Sequence, residues 1–374
     1  MRAGKPREGK RPLPAAQRRV PMTSGRSNSE AAEFLARAAE SAEGIRQRAC
    51  RRAARSAFLW PEHARDLLEQ GRSLTELHGV GPFIAAQLRK WLEQPAKKMT
   101  PPALRRDFLA LADAREVLER DPVWAQALRG DLQMHTRWSD GSGTVAEMAA
   151  AGEERGYDYI AITDHSKGLK IAGGIDEAAL ARQGEEIAAA NAAIRTAGGR
   201  LTVLRSIEMN LNPRGEGDMD AKALRELDLV LGSFHSALRK KEDQTERYLS
   251  ALRNPQVHIL GHPRGRIYNF RIGLSADWAR VFGEAARLDK AVEIDSYPDR
   301  QDLNLALLRI ARREGVRVSL GTDAHHATQL GFIVLGLAAA RKAKIPAERI
   351  VNFLPLADLR KWAKDVSRPP SRRA

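Results

Sequence analysis

The spacing of hydrophobic positions changes once along this chain, near residue 130. From Ser29 to Trp60 (SEAAEFLARAAESAEGIRQRACRRAARSAFLW), Ala, Leu and Ile recur every three or four residues with Arg massed between them, which predicts amphipathic helix. PEHARDLLEQG predicts a second helix ending at Gly71, and SLTELHGVGPFIAAQLRKWLEQ (73–94) places His78-Gly79-Val80-Gly81 between two amphipathic helices. From Gly130 short β-type runs alternate with helical ones. Seven strands are predicted: Asp131–His135, Tyr157–Thr163, Leu201–Ile207, Leu227–Phe234, Val257–Leu260, Ala291–Ile294 and Val316–Gly321. Helices separate most of them, among them Asp176–Thr196, with Asp176 as its N-cap, and Asn304–Glu314. Gln329–Lys342 and PAERIVNFLPLADLRKWAKDV add closing helices.

Strand–helix alternation implies a parallel sheet with right-handed crossovers. Polar candidates stand at nearly every strand's C-terminal end. A closed βα barrel with its site on that rim has this layout, whereas an open doubly wound sheet concentrates its ligand at one switch point. The expected organisation is a disordered basic tail (1–28), a small all-α domain (29–95), a Pro-interrupted linker with a short helix or two (96–129), an α/β barrel (130–366) and a disordered tail (367–374).

The composition narrows the function classes. Lys and Arg exceed Asp and Glu to give a formal net charge of +15, which suits an anionic partner, nucleic acid before membrane, since no long apolar span occurs. The single cysteine, Cys50, excludes an internal disulfide and a thiolate metal cage. The basic N-terminus lacks the apolar core of a secretion signal, so a cytoplasmic location is expected. In LHGVG, two glycines allow a tight turn whose N–H groups can meet a phosphate beside a helix N-terminus. Gly79, Gly81 and, one helix face on, Lys90 are the candidate DNA contacts.

The chemistry is concentrated at the strand ends. GDLQMHTRWSDG (130–141), ITDHS (162–166), SIEMN (206–210), GSFHS (232–236), LGHPRGR (260–266) and LGTDAHH (320–326) supply His135, Asp140, His165, Glu208, His235, His262, Asp323 and His325. Imidazole and carboxylate are the donors that divalent metals take in sets of about four to six. Any one of these histidines alone would read as a hydrogen-bonded loop residue; eight donors at successive strand exits read as one metal-binding mouth. His258 falls inside a strand and is assigned to the core. Arg264, in GHPRGR, is the candidate clamp for a phosphate oxygen. Asp164 and Asp295 are candidates to orient ligand imidazoles.

At these motifs the chain resembles the polymerase-and-histidinol-phosphatase (PHP) domain, in the version found at the C-terminus of bacterial family X DNA polymerases. The resemblance covers about residues 130–366. Upstream, RACRRAARS and LHGVG resemble that family's helix-hairpin-helix domain. The stretch 96–129 is too short for a polymerase palm, which needs on the order of 100 residues, and it holds no Asp-x-Asp pair. The resemblance implies a distorted seven-stranded barrel holding three metal ions, Mn2+ or Zn2+. It would put His135, Glu208 and Asp323 on the first; Glu208 as a bridge, His235 and His262 on the second; and Asp140, His165 and His325 on the third. Where many members have His-x-His this chain has Gln133-Met134-His135, which weakens the first site and favours an oxygen-tolerant metal such as manganese. The position of the family's lyase lysine is Gln87, so no lyase activity is expected.

The expected activity is metal-dependent hydrolysis of phosphoesters at DNA ends, by nucleotide trimming or removal of a 3′-phosphate, with Glu208 bridging and Arg264 clamping. Two alternatives stand beside it: a small-molecule phosphatase of the histidinol-phosphatase type, and a DNA-binding protein whose hydrolase site is degenerate, motivated by Gln133.

Overall fold

The structure is a computed structural model, and it describes residues 26–95 and 99–368. The two terminal tails expected from the sequence lie almost wholly outside the described residues. The long N-terminal helical pattern is two helices, α1 (Asn28–Glu40) and α2 (Gly44–Ser56). The break falls at Gly44, whose φ of +56° is left-handed backbone that glycine adopts without strain. Ser27 and Glu30 close a capping box on α1. After α3 (Ala64–Glu69) the first arm of the expected hairpin is a single 3-10 turn, Leu74–Glu76, and α4 (Pro82–Leu92) follows the glycine turn with Pro82 in its first turn. Leu35, Ala53, Trp60, Leu67, Leu74 and Leu88 share the core of this module.

Seven parallel strands, β1 (Gly130–Met134), β2 (Tyr159–Ile162), β3 (Thr202–Asn210), β4 (Leu229–Ser233), β5 (Ile259–Leu260), β6 (Ala291–Asp295) and β7 (Arg317–Gly321), lie in sequence order in one sheet. β3 runs three residues past its predicted end, so Glu208 lies within the strand and not beyond it. β7 curls back on β1. His135 N–H donates to the Ala324 carbonyl at 2.7 Å, and Asp323 N–H to the Gln133 carbonyl at 3.1 Å. Buried Asp131 adds a tie, accepting from the backbone N–H (3.1 Å) and hydroxyl (2.5 Å) of Thr322. The result is a nearly closed barrel.

Alternation along the strands sorts the side chains by depth. Leu204, Leu229, Leu231, Ile259 and Ala291 cluster with Leu359 and Trp362 of the last helix, Leu356–Val366, which closes the lower end. Ile160, Ile162 and Val203, and on the other side Val230, Val292, Ile294, Val318 and Leu320, pack beneath surrounding helices. The upper ends carry buried polar groups instead: Gln133, His135, Ser206, Glu208, Glu293, Ser319 and Asp323. Gly321 makes room for them, since a Cβ there would meet Glu293 Oε1 at 2.3 Å and Gln133 Cβ at 2.6 Å.

The stretch 99–129, read from the sequence as a linker with a short helix or two, holds the helices Leu111–Glu119 and Pro122–Gln126 and packs on both neighbours. The helix Leu111–Glu119 packs on the helix Ile333–Ala343 of the barrel, with Ala114 and Leu118 in the barrel core. Arg105 is buried, donating to Glu33 (2.8 and 3.2 Å) and Glu40 (2.5 Å) of α1 and to Asn269 (3.1 Å) of the loop after β5. Gln301, in the loop after β6, exchanges hydrogen bonds with both backbone groups of Leu109 at 2.7 and 2.8 Å. Tyr268 inserts between Phe58 and Phe108. The helical module is thereby docked on the β5 and β6 loops, at the barrel's C-terminal rim.

Candidate metal centre

Glu208 stands at the centre of the mouth. Its two oxygens face four imidazoles: His262 Nε2 at 2.6 Å and His235 Nε2 at 3.2 Å from Oε1, His165 Nδ1 at 3.0 Å and His135 Nε2 at 3.5 Å from Oε2. Asp323 approaches His135 Nε2 at 3.0 Å. Asp140 lies 3.4 Å from His325 Nε2 and 3.6 Å from His165 Nε2. All eight sequence-predicted donors therefore meet in one place. Each is presented by a strand end or the loop beyond it, because the parallel barrel aligns every C-terminus on one rim.

Three sets of donor atoms lie within 4.8 Å of one another: His135, Asp140, His165 and His325; His165, Glu208 and His235; and His135, Glu208 and Asp323. The third matches the set expected for the first metal. The first contains that expected for the third metal, with His135 added. In the middle set His165 stands with Glu208 and His235, while His262 contacts Glu208 by itself.

The donor set fits metal ions better than it fits a hydrogen-bonded network. Among the described residues, His135 Nδ1, His165 Nδ1, Glu208 Oε2, His235 Nε2 and Asp323 Oδ2 are buried without a hydrogen bond, although several have a neighbour at contact distance. Such unpaired buried groups are costly unless something else meets their lone pairs. Tautomers are arranged accordingly. Asn210 Oδ1 accepts from His235 Nδ1 at 3.1 Å, turning Nε2 toward Glu208, and the Asp323 carbonyl accepts from His325 Nδ1 at 2.7 Å, turning Nε2 toward Asp140. Charge points the same way. Burial alone would raise the Glu208 pKa, but His165, His262 and His235 hold it well below the usual carboxylate range. Asp323 is likewise depressed against burial, by Arg300 and His135. Burial disfavours the charged form of His262, yet Glu208 outweighs it and lifts the pKa to about 10; Asp140 and Asp323 lift His325 to about 9. These carboxylates demand positive charge, which divalent ions would supply.

Asp323 itself sits at φ +52°, in the left-handed region that few non-glycine residues adopt and that Asp tolerates better than most.

Three sequence expectations are corrected in detail. Arg264 does not face the mouth: its guanidinium donates to the carbonyls of Ile272 (2.8 Å) and Leu274 (3.4 Å), bracing its own loop. The guanidinium at the mouth is that of Arg300, in contact with Asp323, with Arg266 and Arg271 on the same wall. Asp164 does not orient His165; it accepts from Thr136, Ser139 and Gln183 and anchors the loop that carries Asp140. Asp295 accepts from Tyr297 N–H at 2.7 Å and makes no hydrogen bond to an imidazole. Gln133, with its amide nitrogen turned inward, donates to Glu293, whose own Oε2 accepts from His262 N–H at 2.7 Å. Burial and neighbouring Asp295 push the Glu293 pKa well above the usual carboxylate range.

Arg300, Glu293 and Asn210 were missed. Arg300 follows a strand end within YPDR, which reads as a turn. Position just past a barrel strand was the available signal. His258 is core, as expected: its Nδ1 accepts from Val230 N–H at 3.0 Å.

In the glycine turn, Gly79 has φ +76° with Ser56 Oγ 2.7 Å from where a Cβ would stand, whereas Gly81, the N-cap of α4, faces open space. Lys90 is exposed on α4.

Comparison with known proteins accords with this geometry. The PHP domain family model matches residues 131–320. The chain is 34% identical over 270 residues to the DNA polymerase/3'-5' exonuclease PolX of Bacillus subtilis, a match covering 71% of this chain and 46% of that protein, so it spans about half of that relative's length. It is 30% identical over 219 residues to a "Probable phosphatase" of Photobacterium profundum, covering 56% of this chain and 82% of the other. The histidinol phosphate phosphatase of Lactococcus lactis, solved with zinc, L-histidinol and phosphate, aligns with a TM-score of 0.43 and 18% identity over 57% of this chain and 93% of that one. With the family model matched along half its length and the strand-end candidate donors gathered at one mouth, this chain belongs to the PHP domain family.

Proposed function

We propose that this protein hydrolyses phosphoester bonds at DNA ends, as a 3′-5′ exonuclease or 3′-phosphatase, using a cluster of divalent ions, Mn2+ or Zn2+, three in number. His135, Asp140, His165, Glu208, His235, His262, Asp323 and His325 would hold them, with Glu208 shared between sites. When bound, such ions polarise phosphoryl oxygens and lower the pKa of water. The chain's own residues do the rest. Asn210 and the Asp323 carbonyl fix the tautomers of His235 and His325, so that the donor nitrogens face inward without reorganisation. Arg300 and Arg271 line the same cleft of about 300 Å³ and would face the non-bridging oxygens of a phosphate held there.

One observation carries the DNA reading: the helical module with its glycine turn is docked on the rim loops that supply the arginines of the mouth. Arg55 of α2 is close enough to Asp299, next to Arg300, to oppose the rise that burial imposes on that carboxyl's pKa. Exposed Arg48, Arg51, Arg52 and Arg55 extend positive charge along α2. The likeness to a polymerase/exonuclease supports the same substrate. Release of labelled nucleotide or phosphate from DNA 3′ ends, dependent on Mn2+ or Zn2+ and abolished in His235→Ala, is the expected result. No release with any divalent ion would overturn the reading.

The second reading, a phosphatase for small phosphomonoesters, draws on the likeness to probable phosphatases. Turnover of small phosphomonoesters with none on DNA would favour it.

A further inference from the structure

Beside the metal mouth lies a second cleft of about 430 Å³, and the two share Leu238 and Arg271 as a common wall. Leu104, from the segment leading out of the helical module, lines its far side. The cleft therefore bridges the mouth and the module. Its lining combines two chemistries seldom found together on a free surface. Arg239, Lys240 and Lys241, in the loop after β4, supply cations, and Phe270 and Ile272, in the loop after β5, are large apolar side chains that are 59% and 50% exposed. The Arg239 guanidinium covers one face of Phe270, 4.8 Å from its centroid. The exposure of the ring leaves its remaining surface available to another planar group.

The charge here is only partly neutralised. Lys240 pairs with exposed Glu242 at 3.2 Å, a weak surface contact. No ion pair is formed by Arg239 or Lys241 among the described residues. Arg271 lines both clefts; Arg300, in contact with Asp323, lines the mouth with it, and Arg239 lines the second cleft with it, so the guanidinium groups run from Asp323 out into the cleft. A cationic line starting at a hydrolytic centre and passing an exposed aromatic ring suits a polyanion that carries planar rings between its charges.

We propose that this cleft binds the unpaired end of a single-stranded polynucleotide, a nucleobase stacking on Phe270 and Ile272 while Arg239 and Lys241 face the phosphates adjoining the scissile bond. The proposal rests on the DNA-end reading above for the direction of the strand, not for the existence of the cleft. Stacking requires a base free of its partner, so the ligand is single-stranded, or a duplex end frayed by the nucleotides that enter. An acidic peptide would satisfy the cations but has no reason to need the ring.

The test uses the full chain loaded with Mn2+ and a 5′-fluorescein decathymidylate with phosphorothioate linkages, read by fluorescence anisotropy. Phe270→Ala should weaken binding roughly 5- to 100-fold, and Phe270→Trp should restore it. Arg239→Ala with Lys241→Ala should flatten the slope of log affinity against log salt by about 0.7 for each phosphate that is no longer neutralised. Binding by Phe270→Ala within about twofold of the parent would overturn the proposal, because a stacked base contributes more than that. So would equal competition by polyglutamate of matched charge, which would assign the cleft to an acidic peptide. Nucleotide release from the unmodified oligomer is measured in parallel. Release unchanged in Phe270→Ala overturns the cleft and leaves the DNA-end reading standing. Binding lost in Phe270→Ala while the parent releases nothing supports the cleft and overturns that reading.

Discussion

Arg300 reaches from the loop after β6 to the carboxylate of Asp323, so that a cation on one strand end meets a metal-type donor on the next. The guanidinium is held there by more than one anion. Burial disfavours its charge, and Asp323, Asp295 and Asp299 together more than reverse that. An arginine fixed in this way is preorganised to meet charge that develops on a phosphoryl group. Arg300→Ala should lower kcat/KM for a phosphoester by roughly 100- to 1,000-fold with metal content retained, and Arg300→Lys should recover only part of it. Steady-state kinetics together with elemental analysis separates this outcome from loss of metal, which would show as fewer ions per chain.

The eight donors were legible in the sequence for a geometric reason: in a parallel barrel, anything just past a strand's last apolar residue lies on one rim, so linear position implies convergence. The same logic failed where side-chain direction decides. Arg264 and Arg300 both follow strands, and only the structure distinguishes the one spent on backbone carbonyls from the one at the mouth. Asp164 stands next to His165 in sequence but turns to Thr136 and Ser139, since neighbours along an extended chain point to opposite sides. The segment 99–129 looked like a linker because its apolar positions are interrupted by Pro101, Pro102 and Pro122. What orders it is long-range, the packing of Ala114 and Leu118 in the barrel core and the pairing of Arg105 with Glu33, and no local periodicity reports such partners.

That pair carries a prediction about how the two modules are joined. Arg105 and Glu33 are both nearly inaccessible, with side chains 5% and 3% exposed. Removing one member of a buried pair typically costs about 3–5 kcal/mol, and less where a second partner remains, as Arg37 does for Glu33 at 2.7 Å. Arg105→Ala should therefore lower the unfolding midpoint and open the segment 99–129 to limited proteolysis while the barrel still binds metal. Replacing Arg105 and Glu33 together by Met and Leu should cost less than the single change, because the charges that lose a partner, Arg37 and Glu40, are exposed to water. A double variant as unstable as the single one would show that packing, and not charge, holds the joint.

His258 makes stability depend on pH. Burial, aided by Lys290, pushes its pKa down to about 4, and its Nδ1 accepts a hydrogen bond that only the neutral ring can take. In the unfolded chain a histidine titrates near 6.5. Between these values the unfolded state binds a proton that the folded state refuses, so stability falls as pH falls. The contribution is complete above about pH 6.5, is lost progressively down to about pH 4, and amounts to about 3 kcal/mol at most. Urea unfolding at pH 7.5 and pH 4.5 should show His258→Gln less stable than the parent at the higher pH and closer to it at the lower. A gap between the two proteins that is the same at both values would rule out this titration.

The glycine turn allows its two glycines to be tested against each other. Gly79 is needed by the fold: at φ +76°, with Ser56 close by, alanine would cost roughly 1–2 kcal/mol in backbone strain before any steric clash is counted. Gly81 is free of both constraints, with an ordinary φ of −85° and nothing within 4 Å of a Cβ. Aspartate at that position would cap α4 and favour its dipole, so Gly81→Asp should fold at least as well as the parent. It would also put a negative charge where a DNA phosphate must approach the backbone N–H groups. Lys361→Gln supplies the control. It makes the same change in net charge on an exposed residue of the helix that closes the opposite end of the barrel. If the turn grips DNA, Gly81→Asp loses about tenfold or more in affinity at moderate salt while Lys361→Gln loses less than about twofold, since a shift in overall charge acts weakly and a blocked phosphate site acts directly. Equal losses in the two variants would mean that the module attracts DNA by charge alone and that the turn has no special part in holding it.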